Sequence, residues 1–542
     1  MSSDTKSKAV HPTEHPITTF VGSSAPSENA HENACLSKLT KWWTDEEEAC
    51  VRKKLDRRIV TTSFFLYFCA LLDRSNIGNA KTAGMERALH MSDSKFQWLL
   101  TIFYIAYIIF QFQVLMYKLL PPRIWMSLCV FVWGVAGVCQ AATRNWEGMM
   151  AARFWLGVSE AGYGTGFALY LSFFYPRTEI GLRFGWFVSA GAISAAVAGS
   201  IAYGLVHVHS SLQSWRLLFL IEGLPTIVMA PITYLMLPNS IQYASFLSTR
   251  EKAIAEARLF RPPPPEAVDI AKGDGGHSIG GLVQRVDWSK AASAFTDPMS
   301  YISAILLFVI NVGYSSVPVY VPTLISEMGY GSIKAQGLSA PPYVLAFVLS
   351  LVFCWLTDRY QIRGPVCTAL LIVGAIGYLM LATLRSTAAR YIGVWLIING
   401  LFPFIPILYM WLLGNQVNES KKGLGLVIFA TIGQCGPLLG THLFPANEKP
   451  YYVKGTAVSA ALLVFGIIVS AVSSYMFWNI NRRRDGEDAM SNFSVNTDIG
   501  ERKNDEEENN DILNATSMSE ADRRKIDILL RGEESPYFRF II

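Results

Sequence analysis

The sequence predicts an all-α polytopic membrane protein with twelve transmembrane helices arranged as two six-helix bundles. The first observation is composition: of 542 residues, 51% are hydrophobic and only 16% are charged, whereas soluble domains carry about 25% charged residues. The second is that apolar runs of about 20 residues, enough to cross a hydrocarbon core about 30 Å thick, recur along the chain. The third is a polar segment, residues 238–298, that divides these runs into two sets of six.

A polar N-terminal segment, residues 1–58, precedes the first apolar run. It is rich in Ser, Thr, Glu and His and has no signal-peptide pattern, so we expect a cytosolic disordered tail. The first six-helix bundle is predicted at 59–237. Its spans are expected at 59–80, 95–117, 124–142, 148–175, 183–206 and 215–237.

The segment 238–298 between the bundles is predicted to be a cytosolic central loop. It contains PPPPE and GDGGH, compositions that are typical of extended or flexible chain. The second bundle is predicted at 299–478, and a cytosolic tail at 479–542 carries NDEEENNDILN. The spans of the second bundle are expected at 299–321, 335–358, 365–384, 390–411, 421–442 and 453–478.

The distribution of Lys and Arg predicts the orientation in the membrane. Basic residues are concentrated in the short loops that lie on the same side of the membrane as the N-terminus, and fewer of them lie in the loops on the opposite side of the membrane. Because cytosolic loops carry such an excess, both termini are expected in the cytosol. The plasma membrane is the expected location.

Five charged residues stand away from the ends of the predicted spans of the first bundle. Asp73 and Arg74 are adjacent in the first span, within LLDRSNIGNA, and Glu222 lies in the sixth. Arg153 and Glu160 in the fourth span are seven residues apart, close to two helical turns, so they share one helix face. Charges inside a bilayer are costly and mark a substrate pathway, a proton relay or an ion pair.

Two interpretations of these charges remain open. In one, a static ion pair holds the first and fourth helices together. In the other, a proton-coupling carboxylate is paired with an arginine beside an anion site. When the arginine moves away to bind a substrate anion, the carboxylate takes up a proton. Two acids and two arginines at similar depth favour the second interpretation. Asn76 shares the face of Asp73, three residues further along the helix.

Several motifs resemble a known family. Twelve helices in two sets of six with a long central loop resemble the major facilitator superfamily. WLTDRYQIRG is similar to the G-x-x-x-D-R-x-x-R gating loop motif of that superfamily between helices eight and nine, and Asp358, Arg359 and Arg363 fit it. The matching place in the first half, MYKLLPPRIW, lacks the acid.

Further motifs resemble the fungal allantoate permease-like branch of the anion:cation symporter group. They are LDRSNIGNAK, ARFWLGVSEAG, WRLLFLIEGLP, FTDP before helix seven and the final PYFRFII. The resemblance implies that Asp73 and Glu160 are protonation sites, that Arg74 holds the substrate carboxylate and that Arg153 modulates Glu160. Glu222 is a secondary candidate for the proton site.

The same resemblance implies a set of substrate-binding residues. Tyr107 is similar to the substrate tyrosine of helix two in the family, and Gln434 stands where relatives often have Asn. An aromatic residue that bacterial sugar-acid carriers have before the acid of helix one is Leu71 here, which disfavours sugar acids. The predicted substrate-binding residues are Arg74, Arg153, Tyr107, Asn76 and Gln434.

The sequence therefore predicts a secondary active transporter that imports a small organic anion by proton symport with alternating access. The family's substrates include allantoate, nicotinate, biotin and pantothenate, and the sequence does not select among them. The alternatives are an exporter of a toxin or secondary metabolite, and a nutrient receptor that does not transport. No G-x-x-x-x-G-K-[ST] or HExxH motif supports an ATP-driven pump or a zinc enzyme. A monomer in a lipid bilayer is expected, with no cofactor, metal or nucleic acid.

Overall fold

A computed structural model describes residues 42–82, 84–176, 178–206, 212–259, 288–329, 332–416, 419–444, 448, 451–502 and 540. All regular structure within these ranges is helical. The predicted N-terminal tail up to residue 41, the middle of the predicted central loop at 260–287 and the tail segment 503–539 lie outside the described residues.

The first half begins with a surface helix, α1 (Asp45–Leu55). A π-helical turn (Asp56–Val60) connects α1 to the first long helix. The long helices of this half are α2 (Thr61–Thr82), α3 (Asp93–Ile109), α4 (Pro122–Ala142), α5 (Trp146–Leu171), α6 (Ile180–Val206) and α7 (Ser214–Met236). Shorter segments are Met85–Ala88, between α2 and α3, and the extension of α3 through a 3₁₀ turn, Phe110–Leu115, and Met116–Leu119.

The second half follows a helix of the central segment, α8 (Thr249–Arg258), and two short helical segments, Trp288–Ala292 and Ser293–Phe295. Its long helices are α9 (Pro298–Glu327), α10 (Ser332–Tyr360), α11 (Gly364–Thr383), α12 (Thr387–Gly414), α13 (Glu419–Gly433) and α14 (Val453–Arg502). After a break, α13 continues as Gly436–Gly440. The predicted all-α architecture of two helical halves is confirmed.

Ten helices in the described ranges are long and apolar enough to cross a membrane, which makes the protein a multi-pass membrane protein. The two bundle helices that fall short of this measure are α2 and α5, the helices that carry Asp73, Arg74, Arg153 and Glu160. The charges lower the hydropathy of both helices. Packing inside the bundle offsets the cost of these charges in the membrane, because α2 contacts α6 and α7 while α5 contacts α3 and α4.

A close approach of α3 and α5 brings the charged face of α5 to the centre of the molecule. A Cβ atom at Gly157 would lie 2.4 Å from the backbone oxygen of Phe103 and 3.0 Å from the Cβ of Ala106. Only glycine therefore allows the two backbones to approach this closely. One turn of α5 on either side of Gly157 lie Arg153 and Glu160.

The two halves meet mainly through α6 of the first and α10 of the second. Helix α6 also packs on α12, and the 3₁₀ turn at the end of α3 packs on α13. A cavity remains between the halves in the middle of the molecule.

We call the end of the bundle that carries α1 and α8 the linker end. There the buried Arg258 of α8 forms two ion pairs, to Glu48 of α1 (Nε–Oε1, 3.0 Å) and to Glu179 of the turn after α5 (Nη2–Oε1, 2.7 Å). Helix α8 is therefore tied to the first half, although it belongs to the segment that joins the halves.

Candidate functional site

The central cavity has a volume of about 1240 Å³, its opening to solvent included. Residues of α2, α3, α5 and α6 line it from the first half, and residues of α9, α12 and the end of α13 line it from the second. Its wall is mainly aromatic. The aromatic lining residues are Tyr67, Phe103, Tyr104, Tyr107, Phe184, Phe187, Tyr314, Phe402 and Tyr409.

Arg74 projects from α2 into this cavity. Its guanidinium carbon lies 5.1 Å from the ring centre of Phe103 and 5.2 Å from that of Tyr107, so two aromatic faces hold it in place. Its Nη2 donates a hydrogen bond of 2.6 Å to Oε1 of Glu160, which lies behind it on α5. The Arg74 side chain is 20% exposed and that of Glu160 only 3%. A solute in the cavity therefore reaches the arginine before it reaches the acid.

Arg153 also lines the cavity, but it is buried and lacks a carboxylate partner within the described ranges. Its Nε and Nη2 have no hydrogen-bond partner there, and neither has Oε2 of Glu160. Glu160 thus pairs with Arg74 of another helix, while Arg153, two turns away on the same helix, interacts with it only at longer range. The wall of the cavity holds two arginines with N–H groups left over for an anion.

Asp73 is directed away from the cavity. Its Oδ2 accepts hydrogen bonds of 2.8 Å from Nε1 of Trp133 on α4 and 2.8 Å from Oγ1 of Thr226 on α7. No ion pair to Arg74 or Arg153 is formed among the residues that the structure describes. Adjacent helical residues point about 100° apart, so α2 presents Arg74 to the cavity and Asp73 to its opposite side.

The remaining residues that were predicted to bind the substrate or the proton also fall into two groups, those that line the cavity and those that do not. Tyr107 lines the cavity beside Arg74, and Gln434 lines it at the break after α13. Asn76 and Glu222 do not line it. Both are buried, and their side-chain polar atoms have no hydrogen-bond partner in the described part of the chain.

The predicted gating loop motif forms a contact between the halves at the linker end. Asp358 on α10 accepts a hydrogen bond of 2.7 Å from the backbone N–H of Leu182, in the first turn of α6, and pairs with Arg363 Nη2 at 3.1 Å. Arg363 also donates to the carbonyl of Met410 on α12. Arg359 is exposed. A carboxylate at the N-terminus of a helix is electrostatically favourable, so Asp358 joins α10 of the second half to α6 of the first.

Sequence reasoning missed most of the aromatic lining and both partners of Asp73. An aromatic residue in an apolar span resembles ordinary core, so nothing in the pattern separates Tyr314 or Tyr409 from packing residues. Trp133 did carry a signal: an indole N–H inside a membrane needs an acceptor, and Asp73 is an acid in a span of the same bundle.

Comparisons with known proteins agree with this fold. The family model described as Major Facilitator Superfamily matches residues 63–441. The MFS transporter prlL of Fungal sp. (strain NRRL 50135) is 31% identical over 445 residues, which cover 80% of this chain and 86% of that protein. The high-affinity nicotinic acid transporter of Saccharomyces cerevisiae is 26% identical over 438 residues, covering 81% of this chain and 79% of that protein.

A solved structure shares the fold as well. The proton:xylose symporter XylE aligns with a TM-score of 0.58 and 13% identity, over 78% of this chain and 96% of that chain. At this identity the similarity concerns the fold alone. The chain belongs to the Major Facilitator Superfamily, and it is a multi-pass membrane transporter of small molecules rather than an enzyme.

Proposed function

We propose that this protein imports a small organic anion together with a proton by alternating access. The observation that carries the proposal is the ion pair between Arg74 and Glu160 at the wall of the central cavity. The arginine is the exposed member of the pair and the acid is the buried one. An anion that enters the cavity therefore competes with Glu160 for Arg74.

The chemistry of the wall supports a carboxylate with a flat, largely apolar body as substrate. Arg74 offers a guanidinium that is already oriented by two rings, and Arg153 offers unpaired N–H groups. The surrounding aromatic faces favour a planar ring over a polyhydroxylated chain. The similarity to the nicotinic acid transporter of yeast agrees with this class, as do the motifs shared with the allantoate permease-like branch.

Proton coupling follows from the competition for Arg74. When the substrate carboxylate binds Arg74, Glu160 loses its only ion pair within the described residues while it remains buried. An unpaired carboxylate in the membrane interior is costly, and protonation removes that cost. Substrate and proton are then carried together. In this scheme Asp73, on the other side of α2, acts as a second protonation site that does not touch the substrate.

We further propose that the linker end faces the cytosol, in line with the Lys and Arg distribution. The protein then spans the plasma membrane as a monomer with both termini in the cytosol. The predicted bundles at 59–237 and 299–478 are its two moving halves. The contact of Asp358 with α6 closes the cytosolic side, so the cavity is in the state that receives substrate from outside.

Uptake measurements test the proposal. Cells that express the protein are given labelled nicotinate, pantothenate, biotin and allantoate at external pH 5 and pH 7.5. Faster uptake of at least one of these carboxylates at the lower pH supports the proposal, and outward transport driven by the same gradient supports the exporter instead. Binding without transport of any of them identifies a receptor.

A variant separates coupling from binding. Glu160→Gln keeps the size of the side chain but cannot release a proton. In proteoliposomes we expect it to exchange substrate in counterflow and to fail to concentrate it against a gradient. If Glu160→Gln concentrates substrate as well as the parent does, Glu160 is a structural partner of Arg74 only.

A further inference from the structure

The end of the chain carries PYFRFII, a motif with no part in the proposed transport mechanism. The structure describes one residue of this motif, Phe540, and it lies against α14. The residues of α14 that contact it are Phe477, Asn481 and Arg484. Because they are spaced four and three residues apart, they share one face of the helix. We call these three residues the tail site.

Asn481 binds the backbone of Phe540 at both of its polar groups. Oδ1 of Asn481 accepts from the backbone N–H of Phe540 at 3.0 Å, and Nδ2 donates to the carbonyl of Phe540 at 2.8 Å. The side-chain amide thus supplies the two hydrogen bonds that a paired residue on a neighbouring strand would supply. This clamp fixes the position of the bound backbone, whichever side chain it carries.

The ring of Phe540 is recognised separately. It stacks on Phe477 with 5.1 Å between the ring centres and 28° between the ring planes. The guanidinium carbon of Arg484 lies 5.0 Å from the centre of the Phe540 ring. An aromatic face and a cation together favour an aromatic side chain at this position. Main-chain hydrogen bonds combined with a side-chain contact are the means by which proteins recognise short peptide segments.

The tail site is continuous with the packing at the linker end. Phe477 is buried and packs edge-to-face on Trp411 of α12, with 6.3 Å between the ring centres. Trp411 lies so close to Gly364 that a Cβ atom at Gly364 would be 2.9 Å from its ring. Gly364 is the first residue of α11 and directly follows Arg363. Packed rings therefore connect Phe540 to the segment that carries Arg363.

Arg363 orients the acid that joins the two halves. It donates to the carbonyl of Met410, the residue before Trp411, and its Nη2 pairs with Oδ1 of Asp358 at 3.1 Å. Oδ2 of Asp358 accepts from the backbone N–H of Leu182 at 2.7 Å. A shift of Trp411 would therefore move the carbonyl that holds Arg363, and with it the partner of Asp358.

We propose that the C-terminal segment of the chain is a latch: when Phe540 occupies the tail site, it strengthens the contact of Asp358 with α6 that joins the two halves. Release of Phe540 removes the ring that covers Phe477, so the end of α14 and Trp411 are held less tightly. The docked and released states then differ in their preference for joined halves, which is what a conformational effect requires.

The consequence for transport rests on the proposed function, whereas the latch itself does not. In alternating access the linker end has to open, so the docked segment favours the arrangement in which this end is closed. The latch is measured without any substrate. Its failure therefore leaves the uptake proposal standing, and a failure of uptake leaves the latch standing.

Hydrogen exchange of the purified full chain in nanodiscs tests the latch. The first N–H groups of a helix have no partner within the helix, so the protection of the Leu182 amide reports its bond to Asp358. We expect removal of residues 540–542 to speed exchange in the first turn of α6 at least about fivefold, the lower end of usual coupling between sites. Exchange in α8, which Arg258 ties to the first half, should not change.

Added peptide tests whether the tail site is a binding site. The peptide PYFRFII should restore slow exchange at Leu182 in the shortened protein, and the restoration should saturate with peptide concentration. A peptide of the same residues in shuffled order should have no effect. Because the shortened protein keeps the whole of α14, this arm compares one folded protein with and without its ligand.

Point variants assign the effect to the two sides of the contact. Asn481→Leu removes both hydrogen bonds to Phe540, and Phe540→Ala removes the stacked ring. Both should speed exchange at Leu182, and the peptide should reverse Phe540→Ala but not Asn481→Leu. Arg484→Ala, which removes only the cation beside the ring, replaces Asn481→Leu if that variant does not fold. Arg483→Ala, on the exposed side of α14, is the matched control and should behave as the parent does.

Three results would overturn the latch. The first is a shortened protein in which Leu182 exchanges at the parent rate. The second is an equal rise of exchange in α8, which would show general loosening of the fold. The third is saturable binding of PYFRFII that leaves exchange at Leu182 unchanged, because the tail site would then hold a peptide without acting on the contact between the halves.

Discussion

Removing Arg74 should reduce both stability and uptake, and the two effects can be separated. Arg74→Ala deletes the guanidinium that donates to Glu160 at 2.6 Å and leaves a buried carboxylate without a partner. Deleting one member of a buried ion pair costs about 3–5 kcal/mol. Because the Arg74 side chain is 20% exposed, solvent screens the pair in part, and we expect a loss of about 3 kcal/mol in the free energy of unfolding.

The effect on uptake has a different origin. A charge-assisted hydrogen bond to the substrate carboxylate contributes about 1.5–3 kcal/mol, so Arg74→Ala should lower the uptake efficiency about 10- to 150-fold. Arg74→Lys keeps the charge but loses the planar fork that binds a carboxylate with two N–H groups. We expect an intermediate value for Arg74→Lys.

A double variant distinguishes stability from binding. Adding Glu160→Gln to Arg74→Ala removes the unpaired carboxylate, so most of the lost stability should return while uptake remains low. The measurements are thermal unfolding of purified protein and the initial rate of uptake of a labelled carboxylate, normalised to protein at the cell surface. Arg144→Ala, in the exposed turn between α4 and α5, is the matched control.

Two results would refute this reasoning. Normal uptake by Arg74→Ala would remove Arg74 from the anion site. A double variant that is no more stable than Arg74→Ala would show that Glu160 is not penalised by the loss of its partner, and that the pair does not hold α2 against α5.

Three further changes test other parts of the structure. Gly157→Ala should separate α3 from α5, because its Cβ would lie 2.4 Å from a backbone oxygen of α3, and should lower the Tm; Gly486→Ala, with open space around it, should not. Asp358→Asn should weaken the contact with Leu182 and increase labelling of cysteines introduced at the linker end of the cavity. An ion pair to α1 lowers the pKa of Glu251. The ion pair therefore contributes to the docking of α8 at pH 7, and this contribution is lost as the pH falls below about 4. Hydrogen exchange in α8 should be low at pH 7 and should rise below about pH 4.

Much of the architecture follows from local features of the sequence. Span length and the polar segment at 238–298 predict the helices and their division into halves, because a chain in lipid must satisfy its backbone hydrogen bonds within each helix. The spacing of Arg153 and Glu160 predicts their common face for the same local reason. The roles assigned to these residues remain predictions.

The partners of the charged residues required the tertiary structure. Asp73 and Arg74 are neighbours in sequence, and helical geometry alone predicts that they point about 100° apart, but it does not predict which residues each of them meets. In the structure α2 separates them: Arg74 meets Glu160 at the cavity, and Asp73 meets Trp133 and Thr226 behind it.

The sequence by itself determined that this chain is a membrane protein of two helical halves with ionisable residues inside the first. Only the tertiary structure decided which of these residues face the cavity and which face α4 and α7 on the other side of α2. The physical reason is that hydropathy and helical period depend on neighbouring residues, whereas the direction that a helix face points depends on how helices pack. That packing is set by contacts between distant segments, such as Gly157 against α3 and Asp358 against α6.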